Sequence, residues 1–289
     1  MILIAGGSLD PNIHAVIQAA KDNNYKYNVL YTDRHMAFWD INNNTLLAST
    51  QKLQFYSVFS RPDVFTYDYY SQVRQRNSAY KWHHMIHTYA LTQGHRILNP
   101  NHVFQETTKI YNLLKAKEFG FDLPETYVAG DMDLNIIDRT AYITKPVDGG
   151  AHAFSLDEVD DPFVNGPAFI QEKLETPDMR IFRVGANLFV AFYLHSPSVD
   201  YRERQDATVT YIENESVYEE YLQPLIKLSD HLGLEYCAVD LKRKQGTEKE
   251  FKFLEINTLP MFSEFDKKSD GKIAKGIVDL LYTGTNDGE

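Results

Sequence analysis

Two apolar segments near the carboxyl-terminal end of the sequence constrain the fold most strongly, because each carries polar side chains inside an otherwise buried pattern. The second segment is Phe251-Lys252-Phe253-Leu254-Glu255-Ile256-Asn257, whose aromatic and β-branched residues are typical of a strand. Residues two apart on a strand point to the same face, so Glu255 and Asn257 are predicted to lie side by side. The first segment, Tyr236 to Leu241, is a second apolar strand and carries Asp240.

The polar stretch between these strands predicts a hairpin. Lys244 to Lys249 contains Gly246, and a turn centred near that glycine places Asp240 almost opposite Glu255. Oxygen ligands of this kind suit Mg²⁺, which is usually shared with substrate phosphates. A solvated hairpin face is the alternative, and for any one acid taken alone it is the better interpretation. Three polar groups within apolar strands favour the metal, because an unpaired charge there would be costly.

Composition limits the classes of partner. The chain has 289 residues, of which 43% are hydrophobic, and a net charge of −11, which argues against a general binder of nucleic acid or anionic membranes. A local lysine cluster would still accommodate a polyphosphate. Cys237 is the single cysteine, so an internal disulfide is excluded and a reducing compartment fits. Met1 to Gly7 is too short and uncharged for a signal peptide, and no apolar run has the length to span a bilayer. We expect a cytoplasmic protein.

The amino-terminal region begins with a βαβ pattern. Met1 to Gly7 predicts a buried parallel strand, a helix follows, and Asn28 to Thr32 predicts the next strand. In a later helical stretch, His83 and His87 share a face at a spacing that zinc sites use. No glutamate or third ligand accompanies them, so we interpret the pair as part of an exposed polar face.

A second unit begins after about residue 95. A helix predicted from about His102 to Phe119 carries Lys109, and a strand ending in Lys145 is followed by Gly149 and Gly150. A lysine at a strand end with a glycine loop after it suits a polyphosphate, because the ammonium is a point charge and glycines let backbone N–H groups approach oxygens. Taken alone, such a turn is also common on protein surfaces.

The order of these elements resembles a known family. The set comprises the helix with Lys109, the strand with Lys145 and its glycine loop, Gln171-Glu172-Lys173-Leu174, Asp178-Met179-Arg180, Asp240 and Glu255-x-Asn257. It resembles the ATP-grasp ligases, in particular the RimK-like and peptide-modifying (graspetide-type) branch, over about residues 96 to 282. The resemblance implies an α/β fold: a βαβ pre-ATP-grasp domain over 1–95, then a two-lobed α+β ATP-grasp domain over 96–289. Its lid would span about 125–172 and its carboxyl-terminal lobe about 173–282.

The resemblance also implies a role for each matched residue. For ATP, Lys109 and Lys145 would contact the phosphates and adenine, the backbone around Glu172, Lys173 and Leu174 would read the adenine edge, Asp178 would lie near the ribose, and Gly149 and Gly150 would belong to the lid. For Mg²⁺, the ligands would be Asp240, Glu255 and Asn257. For the γ-phosphate or an acyl phosphate, the partners would be Arg180 and Arg202.

The resemblance implies an ADP-forming carboxylate–amine ligase that uses ATP and Mg²⁺ and passes through an acyl phosphate on a peptide or amino acid. A kinase that phosphorylates a hydroxyl with the same nucleotide site is the first alternative, and the sequence does not separate the two. A non-catalytic nucleotide-binding module is the second, and the three intact magnesium ligands count against it. No side chain stands out as a nucleophile, since Cys237 lies inside a strand. The oligomeric state is open, with a homodimer as one expectation.

Overall fold

The computed structural model describes residues 1–34, 37–48, 51–65, 73–100, 109–131, 133–147, 153–196 and 207–283. These residues form a mixed α/β structure with four sheets and six α-helices, as the expected fold class requires. None of the helices in these ranges has the length and apolar character needed to cross a membrane.

A parallel sheet forms the amino-terminal part. Its elements and those beside it are β1 (Ile2–Gly6), α1 (Pro11–Asp22), β2 (Tyr27–Tyr31), β3 (Ala37–Asp40), β4 (Thr45–Ala48), β5 (Gln51–Lys52), β6 (Ser57–Ser60), α2 (Val73–Thr92) and β7 (Arg96–Ile97). The parallel sheet has the order β2-β1-β6-β7, and β3, β4 and β5 form a separate antiparallel sheet. The buried side chains of β1 explain its central position, and Asp10 caps α1 by accepting the Asn12 N–H at 2.8 Å.

An antiparallel sheet forms the middle of the chain. Its elements are α3 (Lys109–Glu118), β8 (Thr126–Ala129), β9 (Tyr142–Pro146), β10 (Phe154–Ser155) and β11 (Ala168–Glu172), with strand order β10-β9-β11-β8. Short 3₁₀ turns connect the strands at Leu134–Ile136, Arg139–Ala141 and Leu156–Glu158. All four strands lie between residues 126 and 172.

A five-stranded antiparallel sheet completes the fold. Its elements are β12 (Glu175–Val184), β13 (Leu188–His195), β14 (Thr208–Ile212), a 3₁₀ turn (Glu215–Val217), α4 (Glu219–His231), β15 (Tyr236–Arg243), β16 (Phe251–Asn257), α5 (Ser263–Lys268) and α6 (Lys272–Thr283). The strand order is β14-β13-β12-β15-β16, so the two strands that carry the candidate metal ligands lie together at one edge.

Both faces of the five-stranded sheet are covered by helices. On one face, Met179, Val239 and Phe253 pack with residues of α3 and α4 in one buried cluster. On the other face, Phe182 and Tyr236 share a cluster with residues of α5, α6, α1 and β1. That second cluster is continuous from the amino-terminal sheet to the five-stranded sheet. The apolar core therefore joins the two ends of the chain, and the polar residues of the second face are confined to the strand ends that this core leaves uncovered.

The interpretation of His83 and His87 as an exposed polar face is wrong. Both side chains are buried, at 2% and 4% exposure. His83 Nδ1 lies 2.9 Å from Ser60 Oγ, and His87 Nε2 lies 2.8 Å from the Pro100 carbonyl. Segments distant in sequence therefore supply polar partners for the two rings, and burial lowers the pKa of His87. The described residues contain no group of three His, Cys, Asp or Glu side chains suited to a metal.

Candidate functional site

The hairpin of β15 and β16 builds the centre of the site. Asp240 pairs directly with Glu255, and Ala238 pairs with Asn257, so the predicted register is confirmed. Residues opposite each other in antiparallel strands share a face, and so do residues two apart on one strand. The side chains of Asp240, Glu255 and Asn257 therefore lie on one face at the same end of the hairpin.

A β-bulge at Leu254 sorts the side chains of β16. Asp240 pairs with Glu255 but its neighbour Leu241 pairs with Phe253, which leaves Leu254 as the extra residue. Phe251 and Phe253 consequently face the apolar cluster together with Ile256. Without the bulge, Phe253 would share a face with Glu255. The single extra residue lets one short strand bury its aromatic rings and still present polar groups on the opposite face.

Arg180 and Asp240 form a paired unit beside the metal candidates. Arg180 on β12 stands opposite Asp240 in register, and its Nε and Nη2 atoms donate to Asp240 Oδ1 and Oδ2 at 2.5 and 2.6 Å. Asn257 Nδ2 donates to Asp240 Oδ2 at 2.8 Å. The guanidinium is 9% exposed and lies 5.3 Å from the Phe265 ring centroid. Bidentate pairing and the ring fix the direction of the Arg180 fork.

Lys109 reaches the same face from α3. Its Nζ lies 3.5 Å from Glu255 Oε2, although the two residues are far apart in sequence. Two carboxylates, two basic groups and one amide therefore meet at the ends of three strands and one helix. The charges balance, and Lys109 and Glu255, at 26% and 29% exposure, remain accessible to a ligand.

The donor set fits a magnesium ion. Carboxylate and amide oxygens from Asp240, Glu255 and Asn257 are hard ligands, and Mg²⁺ prefers a small number of protein oxygens completed by water and phosphate. Asn257 supplies the third oxygen, since the described residues hold no cluster of three acidic, histidine or cysteine side chains. Asp240 is already engaged by Arg180, which leaves Glu255 and Asn257 as the more accessible ligands.

Residues 172–174 link the middle sheet to the five-stranded sheet. The backbone N–H of Glu172 donates to the Glu125 carbonyl at 2.8 Å, and that of Lys173 to the Ala141 carbonyl at 2.8 Å. The Glu172 side chain accepts from Lys252 Nζ at 2.7 Å and from the Glu125 N–H at 3.0 Å. This segment is therefore held by partners on both of the sheets that it connects.

Lys173, Leu174, Lys145 and Asp178 occupy different surroundings. Lys173 Nζ donates to Ser155 Oγ at 2.9 Å, and Leu174 is buried. Lys145 Nζ lies 5.4 Å from the centroid of the Phe169 ring on the neighbouring strand β11. Asp178 pairs with Lys242 at 2.6 Å. The structure thus brings Arg180, Asp240, Glu255, Asn257 and Lys109 into direct contact, while these four line the approach to them. Gly149, Gly150 and Arg202 lie outside the described residues.

Two buried lysines were missed in the sequence. Lys242 is two residues from Asp240 on β15, so strand alternation alone places it on the site face. Lys252 is three residues from Glu255, and in a regular strand it would face the opposite side. The bulge at Leu254 reverses that parity and pairs Lys252 with Lys242. Their ion pairs with Asp178 and Glu172 attach both predicted nucleotide-binding carboxylates to the metal hairpin.

Titration of the buried groups excludes a cysteine nucleophile. Cys237 is fully buried, and burial raises the pKa of its thiol to about 12. The thiolate is therefore absent at neutral pH. At the rim of the middle sheet, burial and the hydrogen bond to Glu125 raise the pKa of Tyr142 to about 12. Hydrogen bonds from Tyr127 and Tyr142 lower the pKa of Glu125, so this carboxylate stays ionised.

Comparison with solved structures identifies the fold. The ATP-grasp ligase PsnB complexed with minimal precursor matches with a TM-score of 0.76 at 18% identity, over 99% of both chains. The macrocyclase MdnC bound with precursor peptide MdnA, from Microcystis aeruginosa, matches at 0.74 and 19%, over 98% of this chain and 99% of that one. D-alanyl-alanine synthetase A from Vibrio cholerae matches at 0.67 and 12%, over 98% and 97%.

No family model and no curated protein matches the sequence. The likeness to the solved structures nevertheless extends over nearly the whole of both chains, and it includes the amino-terminal part. The chain therefore has the ATP-grasp fold, and the resemblance to ligases of the peptide-modifying branch is confirmed as a likeness of fold.

Proposed function

We propose that this protein is an ADP-forming carboxylate–amine ligase that joins its substrates through an acyl phosphate, using ATP and Mg²⁺. The observation that carries the proposal is the contact set of Arg180, Asp240, Asn257, Glu255 and Lys109 on one face of the sheet. These residue types supply the charges that phosphoryl transfer needs, and the fold around them is that of ligases.

The residues divide into two groups by role. Asp240, Glu255 and Asn257 would hold magnesium, which when bound supplies positive charge that neutralises phosphate oxygens. Arg180, fixed by its bidentate pair with Asp240, directs its remaining N–H groups toward the transferred phosphoryl group. Lys109 neutralises charge from the α3 side, and we assign Arg202 to the acyl phosphate from the sequence resemblance. Binding of the polyphosphate would compete with Glu255 for the Lys109 ammonium.

The nucleotide is assigned to the cleft between the middle sheet and the five-stranded sheet. The N–H groups of Glu172 and Lys173 already donate to backbone carbonyls, so we assign adenine recognition to the N–H of Leu174. Asp178 would accept from the ribose, and Lys145 would contact the phosphates. We further propose that residues 125–172 form the lid, with Gly149 and Gly150 over the phosphates, so that closure excludes water from the acyl phosphate.

The reaction is written in two steps. A carboxylate oxygen of the substrate attacks the γ-phosphorus of ATP, the bond between that phosphorus and the β–γ bridging oxygen breaks, and ADP leaves. An amine then attacks the acyl carbon, the carbon–oxygen bond breaks, inorganic phosphate leaves, and the amine loses a proton. The product is an amide. The first step makes a good leaving group of an oxygen that is otherwise a poor one.

A peptide is the proposed substrate. PsnB was solved with precursor peptides and, in another complex, with Mg and ADP, and MdnC was solved with its precursor MdnA. We propose the same class of substrate here, with the amino-terminal residues 1–95 on the substrate side. We also retain the cytoplasm as the compartment, because it supplies both ATP and a reducing environment for Cys237.

Hydroxylamine trapping tests the chemistry. An acyl phosphate is electrophilic, so incubation with ATP, magnesium, hydroxylamine and a panel of peptides and amino acids should leave a hydroxamate on the carboxylate partner. Mass spectrometry reads the product, and omission of ATP is the control. A stable product one phosphate heavier, with neither hydroxamate nor amide, would establish the kinase alternative and contradict the ligase.

A further inference from the structure

We propose that a buried clamp, formed by Asn12, Arg61 and Asn99, positions the loop 258–262 and thereby sets the magnesium affinity of the site. The loop begins directly after Asn257 and ends at the first residue of α5. This inference rests on the proposed function, because it concerns the magnesium ligands that the function requires. It adds three positioning residues, all from the first hundred residues of the chain.

Asn99 holds the start of the loop. Its Nδ2 donates to the Thr258 carbonyl at 2.7 Å and also to the Tyr236 carbonyl, and its Oδ1 accepts the N–H groups of Glu235 and Tyr236 at 2.8 and 3.0 Å. Asn99 is fully buried and has a φ of 50°, a left-handed conformation that asparagine tolerates. One side chain therefore ties the beginning of β15 to the end of β16, the two strands that carry the candidate metal ligands.

Arg61 holds the middle of the loop. Its Nη1 donates to the carbonyls of Leu259 and Pro260 at 3.3 and 3.0 Å, and its Nε donates to Asp10 Oδ2 at 3.2 Å. Tyr236 Oη donates to the same Pro260 carbonyl at 2.9 Å. Arg61 and Asp10 are 5% and 0% exposed. A buried ion pair is costly to assemble, and here it directs a planar fork of donors at consecutive loop carbonyls.

Asn12 holds the end of the loop. Its Oδ1 accepts the N–H groups of Phe262 and Ser263 at 2.7 and 2.9 Å. Asp10 Oδ1 in turn accepts from the Asn12 backbone and Nδ2 at 2.8 and 2.7 Å. Asp10 therefore joins Arg61 and Asn12 into a single unit. The Phe262 side chain is fully buried in the core, which fixes the loop from its apolar side.

The clamp acts on the metal ligands through the backbone. Thr258 follows Asn257 directly, so any shift of the loop carries Asn257 with it and, one alternation back, Glu255. Mg²⁺ demands near-octahedral geometry, which makes its binding sensitive to small ligand displacements. The proposed adenine-binding segment at 172–174 has no hydrogen bond to the clamp. Loss of the clamp should therefore weaken magnesium binding far more than metal-free nucleotide binding.

Calorimetric titration of ADP at a series of Mg²⁺ concentrations tests the clamp, with Arg61→Lys as the variant. Lysine retains the charge opposite Asp10 but cannot reach two carbonyls with a planar fork. The matched control is Arg96→Lys, because Arg96 pairs with Glu235 at 2.7 Å and joins the same two parts of the chain without contacting the loop. We expect the half-maximal Mg²⁺ concentration to rise at least tenfold in Arg61→Lys and less than twofold in the control. Metal-free ADP affinity should stay within twofold of wild type.

Tyr236→Phe is the second variant, because it removes one hydrogen bond to the loop and keeps the buried ring. Its Mg²⁺ dependence should shift in the same direction by a smaller factor, and this variant decides the matter if Arg61→Lys does not fold. An Mg²⁺ dependence equal to the control in Arg61→Lys, or unchanged in Tyr236→Phe, would overturn the clamp while the ligase proposal stands. A wild-type protein whose ADP binding ignores Mg²⁺ would overturn both.

Discussion

Glu255→Gln separates the chemistry of the site from the stability of the fold. The substitution keeps the shape of the side chain and removes its charge. In the structure, Glu255 is 29% exposed, and its ion pair is with Lys109 at 3.5 Å, which is itself 26% exposed. The apolar contacts of β16 come from Phe251, Phe253 and Ile256 on the other face, so the change does not disturb them.

The expected magnitudes follow from that geometry. An exposed ion pair contributes about 0–1 kcal/mol to stability, and 1 kcal/mol corresponds to roughly 2–4 °C in Tm for a chain of 150–250 residues. The melting temperature without ligand should therefore fall by less than about 4 °C. Removing an outer partner of a metal ligand already costs about 10–100-fold in metal affinity or activity. Loss of a direct ligand should cost at least that much.

Two assays and one control decide the prediction. Thermal melts measure stability, and phosphate release at varied Mg²⁺ measures turnover. Glu250→Gln is the control, because Glu250 pairs with Lys244 at 2.9 Å on the same hairpin but at its exposed turn end. We expect the control to retain turnover and Glu255→Gln to lose it while remaining folded. Wild-type turnover and Mg²⁺ dependence in Glu255→Gln would refute the assignment of this carboxylate.

Three further predictions address the nucleotide site and the buried thiol. Lys145→Ala should weaken binding of a non-hydrolysable ATP analogue about ten- to hundredfold relative to the exposed control Lys26→Ala, because a hydrogen bond to a charged group contributes about 1.5–3 kcal/mol; equal calorimetric affinities would exclude Lys145. Lys252→Gln should weaken the same binding about tenfold by releasing the ion pair at the end of β11, since a charged hydrogen bond is lost, whereas exposed Lys249→Gln should not, and identical titrations would contradict this. The folded pKa of Cys237 is raised from 9.0 to about 12, so its contribution to stability is complete below pH 9 and is lost as pH rises toward 12. Urea unfolding should therefore lose up to about 1.4 kcal/mol more stability per pH unit above pH 9 in wild type than in Cys237→Ala, and parallel pH profiles would refute the buried thiol.

Local patterns predict part of the site. The facing of Asp240 and Glu255 follows from strand alternation and one short turn, and both are encoded within about twenty residues. The position of Lys252 does not follow, because a bulge at Leu254 reverses the alternation and is stabilised by the burial of two phenylalanine rings. Its cause lies in the core on the other side of the sheet.

Contacts between distant segments account for what the sequence pattern does not predict. His83 and His87 have a spacing that suits an exposed face, but Ser60 and Pro100 satisfy their ring nitrogens from separate segments. The helical stripe could not reveal those partners. Arg61 is similar, because nothing in its neighbourhood indicates that it binds carbonyls about two hundred residues further along the chain.

The boundary predicted near residue 95 describes the chain order better than the packing. Residues of β1 and α1 share a continuous buried cluster with α6 and the five-stranded sheet. Hydrophobic periodicity identifies which face of each element is buried but not which other element covers it. The division at 95 and the lid at 125–172 therefore remain predictions about motion and role.

Transfer of an oxygen isotope tests the central claim most directly. In a ligase that forms an acyl phosphate, the oxygen that bridges carbon and phosphorus comes from the substrate carboxylate and leaves with inorganic phosphate. A peptide substrate labelled with ¹⁸O in its carboxylates should therefore yield one ¹⁸O in the released phosphate for each amide formed, as read by mass spectrometry. Amide formation with unlabelled phosphate, or phosphoryl transfer to a hydroxyl, would contradict the mechanism.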